Sequence, residues 1–175
     1  VDQCEGLPDS YYEPSNPVKK LNGNNEKAQT IINNFDIQFL EKEANAAYYN
    51  PGKDIIVTPF KQYFKGLEER YTTLFHEIGH STLHKNRLNR KQGRFKDKEK
   101  DYAFEELVAE LTAAYLSAYC GIKKKITNNA AYIDSWIKHL DNDKTFILKA
   151  SAEAEKAATY IIEKTSLKAE QKQVA

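Results

Sequence analysis

Residues 73–80 read Thr-Leu-Phe-His-Glu-Ile-Gly-His and contain the pattern H-E-x-x-H. Four residues turn an α-helix by about 400°, so His76 and His80 lie on one face, one turn apart, and can hold a single ion. Glu77 is offset by one position, which suits a general base acting on a metal-bound water. The uncharged neighbours of the motif indicate a helix that packs against a core and carries a buried metal. The alternative is an ordinary, partly buried helix without a metal. The segment predicts a zinc centre, because zinc lowers the pKa of a bound water towards about 7.

A catalytic zinc site takes three protein ligands and a water, so the motif needs a third ligand. Residues 105–110 read Glu-Glu-Leu-Val-Ala-Glu within a stretch that is apolar nearly all round, which is typical of a buried helix. Buried glutamates need a partner such as a metal, although a solvated face is the alternative. Glu106 and Glu110 are four apart and share a face, whereas Glu105 has Ala109 at the matching position. We therefore predict Glu106 as the third ligand and Glu110 as the carboxylate that orients a ligand histidine.

His84 competes with Glu106 for the role of third ligand. It lies four residues beyond His80, and in a continuous helix it would be about 12 Å along the axis from His76. No glycine or proline between His80 and His84 breaks the helix. The favoured interpretation is a hydrogen-bonded histidine near the helix end.

The predicted elements place a small sheet first and helices afterwards, which is typical of an α+β fold. The turn Asn50-Pro51-Gly52 joins the last two of three predicted strands in a hairpin. The strands are predicted over 37–40, 46–49 and 54–58. Helices are predicted over 25–35, 67–84, 101–119, 129–140 and from an N-cap at Asp143 to Ile162. The domain organisation expected from this order is an extended arm over 1–20, one domain over 21–165 and a polar tail over 166–175.

Composition narrows the class of protein. The chain has 175 residues, 41% hydrophobic and 29% charged, which fits one globular domain. A formal net charge of +1 gives no reason to expect a nucleic-acid binder. No apolar stretch reaches the roughly 18 residues that cross a membrane. Cys4 and Cys120 do not make a disulfide framework, so we expect a cytoplasmic protein with reduced thiols.

The H-E-x-x-H segment and the segment around the glutamates of 105–110 resemble the C-terminal zincin-like domain of ArdC-type antirestriction proteins. The resemblance covers residues 76–84 with the Arg-Leu-Asn-Arg of 87–90, and residues 102–111. It extends from Cys4-Glu5-Gly6-Leu7-Pro8 to the alanine-rich stretch ending at Tyr160. It implies a zincin-like fold and a parent protein of conjugative plasmids or mobile elements that protects incoming DNA from restriction. It also implies a preceding domain that binds single-stranded DNA. The chain begins at Val1 and contains no methionine, so we expect a piece of a longer protein.

Two functions remain open from the sequence. The first is a zinc metallopeptidase acting on a peptide or protein substrate that lies extended along the strand at 54–58. The second is a catalytically silent zinc-containing module for protein or DNA interaction. An open fourth metal position beside Glu77 favours catalysis, and a fourth protein ligand favours a structural role.

Two weaker patterns carry alternatives. Residues 85–100 contain eight basic residues and two acidic ones. The favoured interpretation is a solvated loop, and the alternative is a contact with DNA phosphates. The favoured role of three tyrosines on the second predicted long helix is packing in the core, and they are Tyr102, Tyr115 and Tyr119. The alternative for each is a hydrogen bond to a developing oxyanion.

Overall fold

The computed structural model describes residues 23–91, 93–123 and 145–174, with side chains described up to residue 168. The helices and strands of these ranges confirm the α+β prediction. They are α1 (Glu26–Asn34), β1 (Gln38–Glu41), β2 (Tyr48–Asn50), β3 (Ile55–Thr58), α2 (Leu67–Ser81), α3 (Lys98–Tyr119) and α4 (Phe146–Val174). The predicted arm over 1–20, the predicted helix over 129–140 and the predicted N-cap Asp143 lie outside the described residues.

The three strands form one sheet in the order β1-β3-β2. β2 runs antiparallel to β3, which confirms the predicted hairpin, and β1 runs parallel to β3. β3 therefore lies in the centre of the sheet, with Ile56 and Val57 buried. The prediction that a substrate pairs with the strand at 54–58 is wrong, because both edges of β3 already pair within the sheet.

α2 ends at Ser81, before the predicted end at His84. Here the carbonyl of Gly79 accepts hydrogen bonds from the hydroxyl of Thr82 at 2.6 Å and from the guanidinium of Arg90 at 3.2 Å. Side chains thus donate to a carbonyl that would accept a backbone N–H in a continuing helix, and the chain turns away from the helix axis. α3 begins at Lys98, earlier than predicted, because the carboxylate of Asp97 caps its first turn.

α4 extends to Val174, far beyond the predicted end at Ile162, and so runs through the stretch predicted as a tail. Its buried face continues through Ile161 and Thr165. The side-chain amide of Asn34 on α1 donates to the carbonyl of Thr165 at 3.3 Å, which ties this part of α4 to the core. None of the helices within the described ranges is both long and apolar enough to cross a membrane.

The contact between α2 and α3 is unusually close at Gly79. A Cβ atom at this position would lie 3.3 Å from the Cα of Ala109 and 3.3 Å from the Cβ of Thr112. Optimal carbon contacts are about 3.5–4.0 Å, so the glycine lets the two helix backbones approach. This approach brings the H-E-x-x-H face of α2 against the glutamates of α3.

We expect Gly79→Ala to destabilise the fold. Overpacking against a helix backbone costs about 1–3 kcal/mol, which exceeds the gain of about 1 kcal/mol in helix propensity. Urea denaturation would measure the loss. Gly66→Ala is the control, because a Cβ at Gly66 meets no atom within 4 Å. An increase in stability for Gly79→Ala would contradict the tight contact.

Candidate metal centre

Three side chains from α2 and α3 converge on one point. A ligand atom from each of His76, His80 and Glu106 lies within 4.8 Å of the others. The two Nε2 atoms are 3.0 Å apart, and the carboxylate of Glu106 lies 3.6 Å from His76 Nε2 and 3.5 Å from His80 Nε2. Ligands at about 2.0–2.2 Å from a tetrahedral zinc stand about 3.4 Å from each other. The spacing of the three groups therefore suits a single ion of this kind.

The other ring nitrogen of each histidine contacts its own carboxylate. His76 Nδ1 lies 3.2 Å from Glu110 Oε2, and His80 Nδ1 lies 3.1 Å from Glu105 Oε1. A carboxylate that accepts the Nδ1 proton fixes the tautomer and leaves the Nε2 lone pair for an ion. Glu105, which has no carboxylate partner four residues along its own helix, thus contacts a candidate ligand on α2.

Arg90 fixes the position of Glu105. Its guanidinium pairs with both carboxylate oxygens, at 2.7 and 2.8 Å, and donates to Thr82 Oγ1 at 2.9 Å. Only 7% of Arg90 is exposed, so it does not belong to a solvated loop as the sequence predicted. The relay Arg90–Glu105–His80 thus links the segment after α2 to a candidate ligand. Sequence reasoning missed it, although Arg90 belongs to the Arg-Leu-Asn-Arg segment that carries the family resemblance.

The electrostatics of the cluster favour a cation. Burial lowers the pKa of His76, but hydrogen bonds to Glu106 and Glu110 and the charge of Glu77 outweigh burial and raise the pKa to about 9. Burial raises the pKa of Glu106, yet its contacts with the two histidines outweigh burial and lower the pKa overall. Each shift arises because an imidazole and a carboxylate stabilise each other's charged form, and four carboxylates (Glu77, Glu105, Glu106 and Glu110) surround the two imidazoles. A divalent cation would neutralise this excess of negative charge.

Glu77 lies outside the converging group but borders the same cleft. The residue is only 8% exposed, and its Oε2 accepts the backbone N–H of Tyr49 on β2 at 2.8 Å. The sheet therefore holds one carboxylate oxygen of Glu77 in place. A buried carboxylate held beside a metal centre, and not aimed into it, has the placement of a general base.

His84 takes no part in the converging group. Its Nδ1 lies 3.6 Å from Asp54 Oδ2, and the same carboxylate pairs with Arg87 at 2.6 Å and accepts the hydroxyl of Tyr49 at 2.8 Å. Burial, followed by the hydrogen bond and charge of Asp54, raises the pKa of the Tyr49 phenol to about 12. This second cluster joins the end of α2 to the turn between β2 and β3.

A cleft of about 880 Å³ opens above the candidate ligands. Tyr102 lines this cleft and is 59% exposed, while Tyr115 and Tyr119 are 38% and 42% exposed. The preference for core packing is therefore wrong for all three tyrosines. The prediction relied on aromatic character, but α3 exposes these three positions and buries smaller residues such as Ala109 and Ala113.

Residues 26–153 match the sequence model of the family described as zincin-like metallopeptidase. The chain belongs to this family. The matched range contains both motifs of this zincin-like domain and all of the residues that converge at the candidate metal centre.

Solved structures and curated relatives agree with the family. The Mn(II)-bound crystal structure of the antirestriction protein ArdC of the R388 plasmid is 36% identical, with a TM-score of 0.73 over 94% of this chain and 59% of that chain. Its metal-free structure has the same score over 95% of this chain and 58% of that chain. DNA primase TraC of Escherichia coli is 34% identical over 174 residues, which are 99% of this chain and 11% of that protein. The resemblance to ArdC-type proteins is confirmed, and this zincin-like domain spans only part of each relative.

We expect Glu105→Ala and Glu110→Ala each to weaken metal binding by about 10–100-fold, because each carboxylate orients one histidine. Glu106→Ala should weaken binding further, since it removes a candidate ligand. Competition with a chromophoric chelator for Zn²⁺ or Mn²⁺ measures these affinities. An unchanged affinity for Glu105→Ala would refute the contact with His80.

We expect Arg90→Gln to lower metal affinity nearly as much as Glu105→Ala, because the glutamate loses its fixed orientation. Arg87→Gln is a matched control. Both arginine side chains are 4% exposed and pair with a carboxylate, but Arg87 pairs with Asp54 beside His84. The double variant of Arg90 and Glu105 should lose little more than either single variant. Equal losses from Arg87→Gln and Arg90→Gln would show a general effect on folding instead.

Proposed function

We propose that this chain is a zinc-dependent metallopeptidase domain. His76, His80 and Glu106 hold the ion, and Glu77 is the general base. The observation that carries the proposal is the convergence of three ligand atoms within 4.8 Å, beside a buried carboxylate that borders the same cleft. This is the arrangement that metal-assisted hydrolysis requires.

The donor set supports zinc as the ion. Two imidazoles and one carboxylate are the ligands of many catalytic zinc sites, and they leave a position for water and substrate. Mn(II) is the ion in the related ArdC structure, which supports divalent binding by this fold. Metal analysis of the purified chain distinguishes the two ions.

The residues of the chain divide the work of hydrolysis. A bound zinc ion would polarise the substrate carbonyl and acidify the attacking water. Glu77 takes the proton of that water and delivers it to the leaving nitrogen. The backbone N–H of Tyr49 keeps the carboxylate of Glu77 oriented. Glu105 and Glu110 keep the two histidines oriented. We place the extended substrate along β2, which borders the cleft, and not along β3.

The parent protein would act in antirestriction during DNA transfer. ArdC is an antirestriction protein and TraC a DNA primase, and both contain a region similar to this chain. We propose that single-stranded DNA is bound by another part of the parent protein, that the domain acts on a peptide or protein partner, and that it works in the cytoplasm.

We expect Glu77→Gln to bind zinc normally and to lose about 10²–10⁴-fold in peptide turnover, because it keeps the shape of the side chain and removes the base. His80→Ala is the control that should lose both zinc and turnover. Cleavage of a peptide library and zinc content are the two measurements.

The same variants test the alternative function, a catalytically silent zinc module. In that case the wild-type chain cleaves no peptide. DNA protection by the intact parent then survives Glu77→Gln and is lost in His80→Ala. This pair of results would reject the peptidase while keeping the metal centre.

A further inference from the structure

We propose that the cleft selects peptides with acidic side chains, which bind to a wall formed by Lys91, Lys96 and Lys98. This inference rests on the proposed peptidase function, and it names the substrate class of that site. All three lysines line the cleft that also contains His76 and Glu77. Together these three residues form the lysine wall.

The lysine wall carries positive charge that the protein does not neutralise. The three lysines are exposed, and their ammonium groups make no ion pair within the described part of the chain. Two acidic groups that line the cleft are engaged elsewhere. Glu105 pairs with Arg90, and Glu77 accepts the N–H of Tyr49. An incoming carboxylate would therefore meet free ammonium groups at the lysine wall.

Asp101 explains how a lysine-rich loop is held at the cleft. Its carboxylate accepts the backbone N–H groups of Gly93, Arg94 and Phe95, at 2.9, 2.7 and 3.3 Å. These bonds engage the carboxylate of Asp101 and fix the middle of the loop. The loop is thus anchored at its middle, whereas the lysines themselves are exposed to solvent.

Two further contacts anchor the same loop to the helices. The ring of Phe95 packs on Phe104 and Phe146, with centroids 5.6 and 5.9 Å apart. The guanidinium of Arg94 pairs with Glu153 on α4 at 3.1 Å. Lys91 and Lys96 therefore flank the most anchored residues of the loop, and Lys98 is the first residue of α3. Preorganised charge of this kind raises both association rate and selectivity.

The charge distribution of the cleft favours an acidic peptide over a nucleic acid. Glu77 and Glu106 also line the cleft, and neither carboxylate pairs with an arginine or lysine among the described residues. A nucleic-acid strand carries a phosphate at every step and would bring some of them against these carboxylates. A peptide has an uncharged backbone, which can cross the floor while isolated acidic side chains reach the lysine wall.

The test is a binding measurement on the full 175-residue chain carrying Glu77→Gln, which prevents cleavage during the assay. The probes are a fluorescein-labelled peptide of alternating alanine and glutamate and a peptide of the same length with glutamine in place of glutamate. Fluorescence anisotropy gives both dissociation constants. We expect the glutamate peptide to bind about ten-fold more tightly, from three exposed charge contacts of modest strength. Added salt should reduce this difference.

Substitution of the lysine wall supplies the decisive comparison. The triple variant Lys91→Gln with Lys96→Gln and Lys98→Gln should bind both peptides equally. A control triple variant, Lys53→Gln with Lys61→Gln and Lys168→Gln, removes the same charge from exposed positions that do not line the cleft. It should keep the preference for glutamate.

Three outcomes would overturn the inference. The first is equal binding of both peptides by the starting protein. The second is an equal loss of preference in both triple variants, which would show an effect of net charge alone. The third is tighter binding of a single-stranded oligonucleotide through the same lysines. Each outcome is independent of peptide cleavage and of zinc content, so a failure here is distinct from a failure of the proposed function.

Discussion

The close packing of α2 on α3 at Gly79 sets the geometry on which the candidate centre depends. Side chains of histidine and glutamate reach only a short distance from their backbones. A wider separation of the helices would leave His76 and His80 out of reach of the α3 carboxylates. Because the Cα of Ala109 lies so near, the two helices instead form four histidine–glutamate contacts around one candidate ion position. The candidate metal centre is thus assembled beside a close contact between two helix backbones.

Both candidate histidine ligands of this centre are supported from outside their own helix. His76 relies on Glu110, and His80 relies on Glu105, which in turn relies on Arg90. Chains of charged groups are costly to bury unless every member finds a partner. The partners here are complete, which explains how a domain with a small sheet tolerates so many buried or half-buried charges around one point.

Helix periodicity was sufficient to predict much of this site. His76, His80, Glu106 and Glu110 follow from the spacing of residues on two helices, and the helices themselves follow from apolar patterns. Glu105 could not be predicted in the same way. Its role depends on Arg90, which returns from a turn whose path no local pattern specifies.

The fold shows the same division between local and long-range information. The β2–β3 hairpin follows from the Asn50-Pro51-Gly52 turn, whereas the central place of β3 depends on its pairing with β1 across a longer connection. The end of α2 depends on Arg90 reaching back to the carbonyl of Gly79. The length of α4 depends on packing against α1, which the polar composition of its last turns does not reveal.

The hydrogen bond from Tyr49 to Glu77 has a consequence for how the sequence can vary. The donor is a backbone N–H, so every residue except proline supplies it equally well. Evolution can therefore exchange the side chain at position 49, and with it the shape of the cleft wall, without releasing the carboxylate. A site built in this way separates the part that defines the chemistry from the part that can be adapted to new partners.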